Sequence, residues 1–138
     1  YGFGGLMKKN VSERVWKRLH VFLDDSMEEH VTDLFSECWM YGVPTYWDIV
    51  IADLVKIMYK RKTQYKTNLK VAQVKTKFGG LRFYVDGVAD DFIYGAIWKA
   101  ELECAKICTN CGSYGKEKLN TGRWNAGCVQ CPNGVPNE

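Results

Sequence analysis

The residues of this 138-residue chain best suited to chemistry are its six cysteines, four of which fall into two C-x-x-C pairs. Cys108 and Cys111 form the first pair and Cys128 and Cys131 the second, with sixteen residues between the pairs. Four thiolates at that spacing match a structural zinc site, since Zn²⁺ takes soft donors in a tetrahedron that two such knuckles can close. Gly112 directly follows the first pair, and a glycine there permits the positive-φ turn that aims backbone N–H groups at the sulfurs. Four protein ligands leave a tetrahedral zinc no position for water or substrate. One Zn²⁺ with a structural role is therefore expected.

Cys104, Cys108 and Cys111 also spell C-x3-C-x2-C, the spacing with which radical-SAM enzymes hold an iron–sulfur cluster. Such enzymes place a long barrel after the motif, whereas 27 residues follow Cys111 here and supply the second C-x-x-C pair. Cys104 lies on the apolar stripe of a predicted helix, where a thiol behaves as a small core side chain. Both histidines, His20 and His30, fall on predicted helices and read as surface or interfacial residues. Neither lies between or after the cysteine pairs, where an HNH-type nuclease would use one. The chain has no Gly-rich phosphate loop, nucleophile elbow or H-E-x-x-H, so a non-enzymatic protein is expected.

The formal net charge of +3 conceals a strong asymmetry. Residues 1–53 carry five Lys/Arg against nine Asp/Glu, residues 54–85 nine against none, and residues 86–138 five against seven. The nine are Lys56, Lys60, Arg61, Lys62, Lys66, Lys70, Lys75, Lys77 and Arg82. An acid-free run of this length points to an anionic partner, either a phosphate backbone or an acidic protein surface. Lysines also coat helix ends and guard sheet edges, which is the competing explanation. A hydrophobic content of 46% with 14% aromatic residues excludes a disordered chain. The longest apolar runs, such as Ile49 to Ala52, are too short to span a bilayer, and paired C-x-x-C thiols suit a reducing cytoplasm.

The elements that must position these groups follow from periodicity. Val11, Val15, Leu19 and Phe22 recur at helical spacing over 11–23. Ser26 and Glu29 form a capping box before a second helix with Val31, Leu34, Phe35, Cys38 and Trp39 as its apolar stripe. Gly42 and Pro44 break it. Thr45 opens a third helix, with Asp48 at the box position, Ile49, Val50, Leu54, Ile57 and Met58 on a wide apolar face, and Lys60, Arg61 and Lys62 in the last turn. Residues 69–76 and 81–85 read as strands joined by Lys77-Phe78-Gly79-Gly80, with Leu81, Phe83 and Val85 on one face and Arg82 and Tyr84 on the other. Asp90 caps a long helix to about Lys106 on which Ile93, Ile97, Ala100 and Cys104 share a face. Trp124 is expected to shield the metal site.

The predicted class is α+β: N-terminal helices, a β-hairpin, a long helix and a C-terminal four-cysteine zinc ribbon. Residues 1–9 read as a tag or disordered start, 10–106 as the core and 107–138 as the zinc appendage packed on it.

The string from Val71 to Tyr84 with Lys-Phe-Gly-Gly-Leu-Arg-Phe-Tyr at its centre, followed by Ala100-Glu101, Cys108-x-x-Cys111-Gly112, Trp124 and Cys128-x-x-Cys131, resembles a group of small, mostly uncharacterised phage and prophage proteins. The resemblance covers roughly residues 71–131 and implies a phage or mobile-element setting and a zinc site. Arg123 stands between Gly122 and Trp124, where the group has a direct Gly-Trp pair, and Cys104 stands where Ser is usual. Both departures spare the four ligands and argue against a ligand role for Cys104.

Two functions fit these features. In the first, the lysines grip nucleic-acid phosphates while Tyr59, Tyr65, Phe78 or Tyr84 offer stacking surfaces, with Phe83 assigned to the core. In the second, the same basic surface docks an acidic host protein, making the chain an inhibitor or adaptor in anti-defence or host takeover. The acidic second helix (Glu28, Glu29, Asp33, Glu37) favours the protein partner.

Overall fold

The computed structural model describes the backbone of residues 2–114, 118–119 and 127–128, and the side chains of residues 11–114. Helix α1 spans Gly2–Leu19 and buries Val11, Val15 and Leu19, one residue per turn. It stops short of the predicted end: His20–Phe22 tightens into a 3-10 turn closed by Leu23 N–H to the His20 carbonyl, 3.1 Å, and leaves Phe22 exposed.

The predicted second helix is divided differently by the fold. A 3-10 turn, Asp25–Met27, precedes α2, Glu28–Leu34, and no side chain caps its start, so the Ser26/Glu29 box does not form. After Phe35 the chain leaves the helix and Trp39–Tyr41 becomes strand β1. Phe35 and Cys38 are buried as expected, because the turn that ends α2 still carries both into the core. Trp39 is not: its aromatic and strand-favouring neighbours gain backbone pairing with a strand that would otherwise be an unprotected edge. Burial also pushes the Cys38 thiol up to about 12, which removes it as a nucleophile.

Helix α3, Asp48–Tyr65, follows a 3-10 turn over Thr45–Trp47, again without a side-chain cap. Asp48 instead accepts two hydrogen bonds from Arg18 of α1, at 3.2 Å from Nε and 2.5 Å from Nη2. The same guanidinium donates to the carbonyls of Val43 and Pro44, fastening the α3 entry to α1. Ile51, Ala52, Leu54, Val55 and Met58 place α3 at the centre of the core beside the fully buried Trp47, whereas Ile49 is exposed. The helix runs a turn beyond Lys62 and ends at Lys66 in the left-handed conformation, φ 51°.

Strands β2, Lys70–Lys77, and β3, Gly80–Asp86, form the predicted antiparallel hairpin. β1 adds to β2 in parallel, giving a three-stranded mixed sheet of order β1-β2-β3. Val71, Val74, Leu81 and Phe83 face the helices and the core; a bulge at Val71/Gln73 adjusts the alternation. Helix α4, Asp91–Ala105, begins at the Asp90 cap, whose carboxylate accepts from Ile93 N–H at 3.0 Å, and buries Ile93, Ile97, Ala100 and Cys104. Glu101 of α4 accepts the Phe83 N–H at 3.2 Å, satisfying a donor of the β3 edge. The α+β class with N-terminal helices, hairpin and long helices is thus the observed architecture.

The hairpin turn is strained at one residue. Phe78 and Gly79 are its two central residues with φ 54° and 78°, values typical of a type I′ turn, in which asparagine followed by glycine is preferred. A bulky side chain in the left-handed region costs about 1 kcal/mol, and Phe78 recovers none of it by burial, being 69% exposed. Phe78→Asn is expected to raise the unfolding free energy by roughly 0.5–1 kcal/mol, read as a higher urea midpoint.

Candidate metal knuckle and basic sheet face

Leaving α4, Ile107 is buried on the core and forms an isolated bridge with Tyr114, which closes the loop containing the first cysteine pair. Cys108 is fully buried and Cys111 exposed. The Cys108 N–H donates to the Ser113 carbonyl and the Gly112 N–H to the Cys108 carbonyl, both 2.9 Å, while Asn110 N–H points at the Cys108 sulfur, 3.4 Å. Gly112 adopts φ +77°, and a Cβ there would lie 2.4 Å from the Tyr46 ring, so the turn needs glycine for conformation and for packing. N–H groups aimed at a sulfur stabilise a thiolate, which is the state that ligates a metal. The loop therefore fits a zinc knuckle. Tyr114 donates to Glu103 of α4, and this bond holds the Glu103 carboxyl below and the Tyr114 hydroxyl above their usual ranges.

A two-stranded pair, β4 (Lys118–Leu119) and β5 (Gly127–Cys128), sets the Cys128 backbone opposite Lys118. The Cys128 side chain, Cys131 and Trp124 lie outside the described residues. Among the described residues no three His, Cys, Asp or Glu side chains converge on a common point, so Cys104 does not join Cys108 and Cys111 in a cluster. Cys104 is fully buried on α4 with Ile97 and Ala100, as a core residue would be.

The basic run divides into two populations. Lys62 and Lys70 converge on Asp33 of α2, at 3.7 and 2.8 Å, and Lys62 also donates to the carbonyls of Thr67 and Leu69. Arg61 pairs with Asp90 and stacks over Phe92 and Tyr65, 4.4 and 5.0 Å from the ring centroids. Lys56 sits 3.8 Å from Asp53. All four pair with acids that lie outside the run; Lys62, Lys70 and Arg61 thereby join separate elements, whereas the Lys56 pair is exposed and local to α3. Lys60, Lys66, Lys75, Lys77 and Arg82 have no ion pair among the described residues, and the last three share the hairpin. Tyr65 is exposed but belongs to the Arg61 stack, far in sequence from the hairpin aromatics.

Lys70 and Lys62 hold the Asp33 carboxyl below its ordinary value of 3.8, the Lys70 hydrogen bond being the largest cause. A depressed folded-state value contributes stability above the unfolded value that is lost as pH falls through the folded one. Unfolding free energy is therefore expected to decline from about pH 4 downward, and Asp33→Asn to flatten that acid limb, as read from urea midpoints across the pH range. Asp33 is mostly exposed, so the effect is small.

The sheet's solvent face brings the hairpin cations and Tyr84 beside two aromatics of β1, Trp39 and Tyr41, that periodicity did not assign to it. Register aligns Trp39, Gln73 and Tyr84 in one row and Tyr41, Lys75 and Arg82 in the next. Trp39 is 42% exposed, Tyr41 84% and Tyr84 45%. The Lys75 ammonium lies 6.0 Å from the Tyr84 ring and that of Lys77 5.7 Å from Phe78, contacts within cation–π range. In the sequence the only signal for Trp39 and Tyr41 is that both are aromatic, a residue type enriched in strands.

His20 and His30 are both exposed and stack on Trp16 and Tyr59, with centroids 5.7 and 4.3 Å apart. Among the described residues no helix is long and apolar enough to cross a membrane. Comparison with protein-family models, with curated proteins and with solved structures gives no match.

Proposed function

We propose that this chain is a non-enzymatic, zinc-stapled module that binds nucleic acid through its basic hairpin. One Zn²⁺ is held by Cys108, Cys111, Cys128 and Cys131, and it fastens the C-terminal segment to the end of α4. Support comes from the Cys108 loop, where the Asn110 N–H already points at the Cys108 sulfur and Gly112 takes the positive φ of the turn. The phosphate contacts fall to the cations without an internal acid, Lys75, Lys77 and Arg82 above all, with Lys60 and Lys66 at the end of α3. The observation that carries the assignment is this sorting. An acid-free run whose cations were all consumed by internal pairs would need no partner, whereas three cations on one open sheet face leave a field for an anion. The resemblance to phage proteins adds a setting, the host-cell cytoplasm, in which nucleic acid is abundant.

Affinity for a random oligonucleotide is expected to fall linearly on a log–log salt plot, by about 0.7–0.9 power per phosphate neutralised. Replacing Lys75, Lys77 and Arg82 together by alanine should reduce that slope by about two to three units' worth of contacts and weaken binding at all sequences. No binding at low salt would contradict the assignment.

One observation favours the alternative, a protein-binding inhibitor or adaptor. Tyr94, Trp98 and Leu102 recur four residues apart on α4 and are all exposed, a ridge of the kind that docks on proteins.

A further inference from the structure

We propose that the open face of the sheet is a platform for single-stranded nucleic acid, with bases stacked on Trp39, Tyr84 and Phe78 and phosphates held by Lys75, Lys77 and Arg82. The inference rests on the nucleic-acid assignment above and narrows it to unpaired strands.

The layout follows from register. Rows on one face of a strand are ~7 Å apart and neighbouring strands ~4.8 Å apart, so Trp39 and Tyr84 stand ~10 Å from each other across Gln73. The Gln73 amide between them offers both a donor and an acceptor to a base edge. Toward the hairpin tip the next row is Tyr41, Lys75 and Arg82, and beyond it come Lys77 and Phe78. A groove of about 490 Å³ runs along β1 and β2 past Trp39, Tyr41, Gln73, Lys75 and Lys77. None of these face positions is acidic. The first carboxylate on the face, Asp86, sits at the opposite end beside Lys70.

Folding does not account for the aromatics. Trp39, Tyr41 and Tyr84 keep much of their surface in water, and Phe78 is both exposed and held at φ 54°, where asparagine or glycine would cost less. The Lys77 contact returns little for a strained aromatic that stays 69% exposed, and such an outlier is a ground for proposing contact with a ligand. Duplex DNA hides its base faces in the stack and presents mainly phosphates. An unpaired strand presents base faces and phosphates together, which is the combination of rings and cations that this face displays.

Tryptophan fluorescence and anisotropy titrations with oligo(dT), oligo(rU) and a duplex, each of about 12 nucleotides, test the assignment. Binding to at least one single strand should be 10-fold or more tighter than to duplex and should quench fluorescence, with the dT and rU arms separating DNA from RNA. Trp39→Ala and Tyr84→Ala should each weaken it roughly 10-fold, and Trp39→Phe should remove the quench. Phe78→Asn should weaken single-strand binding while raising the urea midpoint, opposite signs that a residue with a purely structural part does not give. Equal affinity for duplex and single strand, with no effect of the three aromatic substitutions, would overturn the platform and leave the phosphate-binding assignment standing. Absence of binding to all three probes would overturn both.

Discussion

Stripping zinc with a tight chelator is expected to unfasten the segment after Lys106 while leaving the helices and the three-stranded sheet folded. The zinc content of the native protein should be one ion per chain, and Cys108→Ser, Cys111→Ser, Cys128→Ser and Cys131→Ser should each lose it. The expected size is large: structural zinc sites in small peptides contribute on the order of 10 kcal/mol of apparent binding free energy, and here that energy acts on one segment. Amide exchange after Lys106 should accelerate by orders of magnitude on chelation, and exchange in α3 and β2 should change little. The reason for the division is local. Val74, Leu81, Ile51 and Met58 close the core without help from the four proposed ligands, whereas the Cys108 loop is tied to it by Ile107, the Tyr46–Gly112 contact and the Tyr114–Glu103 bond. Cys104→Ser should keep its zinc. Loss of the metal in that variant would reassign the ligands, and a brown protein with visible absorbance would restore the iron–sulfur alternative.

Asp48→Ala is expected to be the most damaging single substitution among the described charged residues. The Arg18 and Asp48 side chains are 25% and 8% exposed, and their double hydrogen bond joins α1 to the start of α3. Removing the carboxylate strands a largely desolvated guanidinium; fully buried pairs broken in this way lose about 3–5 kcal/mol, and the partial exposure of Arg18 reduces the expectation to about 2–3 kcal/mol. The carbonyls of Val43 and Pro44 continue to accept from Arg18, which limits the loss further at that end. A urea midpoint shift of that size, set against an unchanged midpoint for Asp53→Ala at the exposed Lys56 pair, would separate the two kinds of ion pair.

The same aspartate shows where local reading of the sequence reaches its limit. Thr45 followed three residues later by Asp48 has the spacing of a helix start, and a helix does start there, yet Asp48 serves a cation thirty positions earlier rather than the backbone beside it. Long-range partners are invisible to a window of a few residues. The hairpin was legible because two glycines and strict alternation coincide, and the long fourth helix because Asp90 caps it and its apolar residues keep one period. Trp39 was assigned to a helix because Val31, Leu34, Phe35 and Cys38 lead up to it at helical spacing. All four are buried, and only the parallel pairing with β2 turns the next residue outward. That pairing is set by tertiary structure, so Trp39 and Tyr41 could not be placed on the candidate platform from periodicity, whereas alternation did put Tyr84 on the face of Arg82. The basic run was legible, but not its division: Asp33 and Asp90 lie outside the acid-free run and reach into it only after folding. The turn after the first C-x-x-C pair was legible, since Gly112 takes the positive φ expected of a glycine at that position.

Mapping of amide chemical shifts during titration with a short single-stranded oligonucleotide tests the central claim most directly. Perturbations are expected to concentrate on Trp39–Tyr41, Gln73–Phe78 and Arg82–Tyr84, the strands that share the aromatic and basic face. Perturbations confined to Tyr94, Trp98 and Leu102 on α4, or absent from the whole chain, would contradict it.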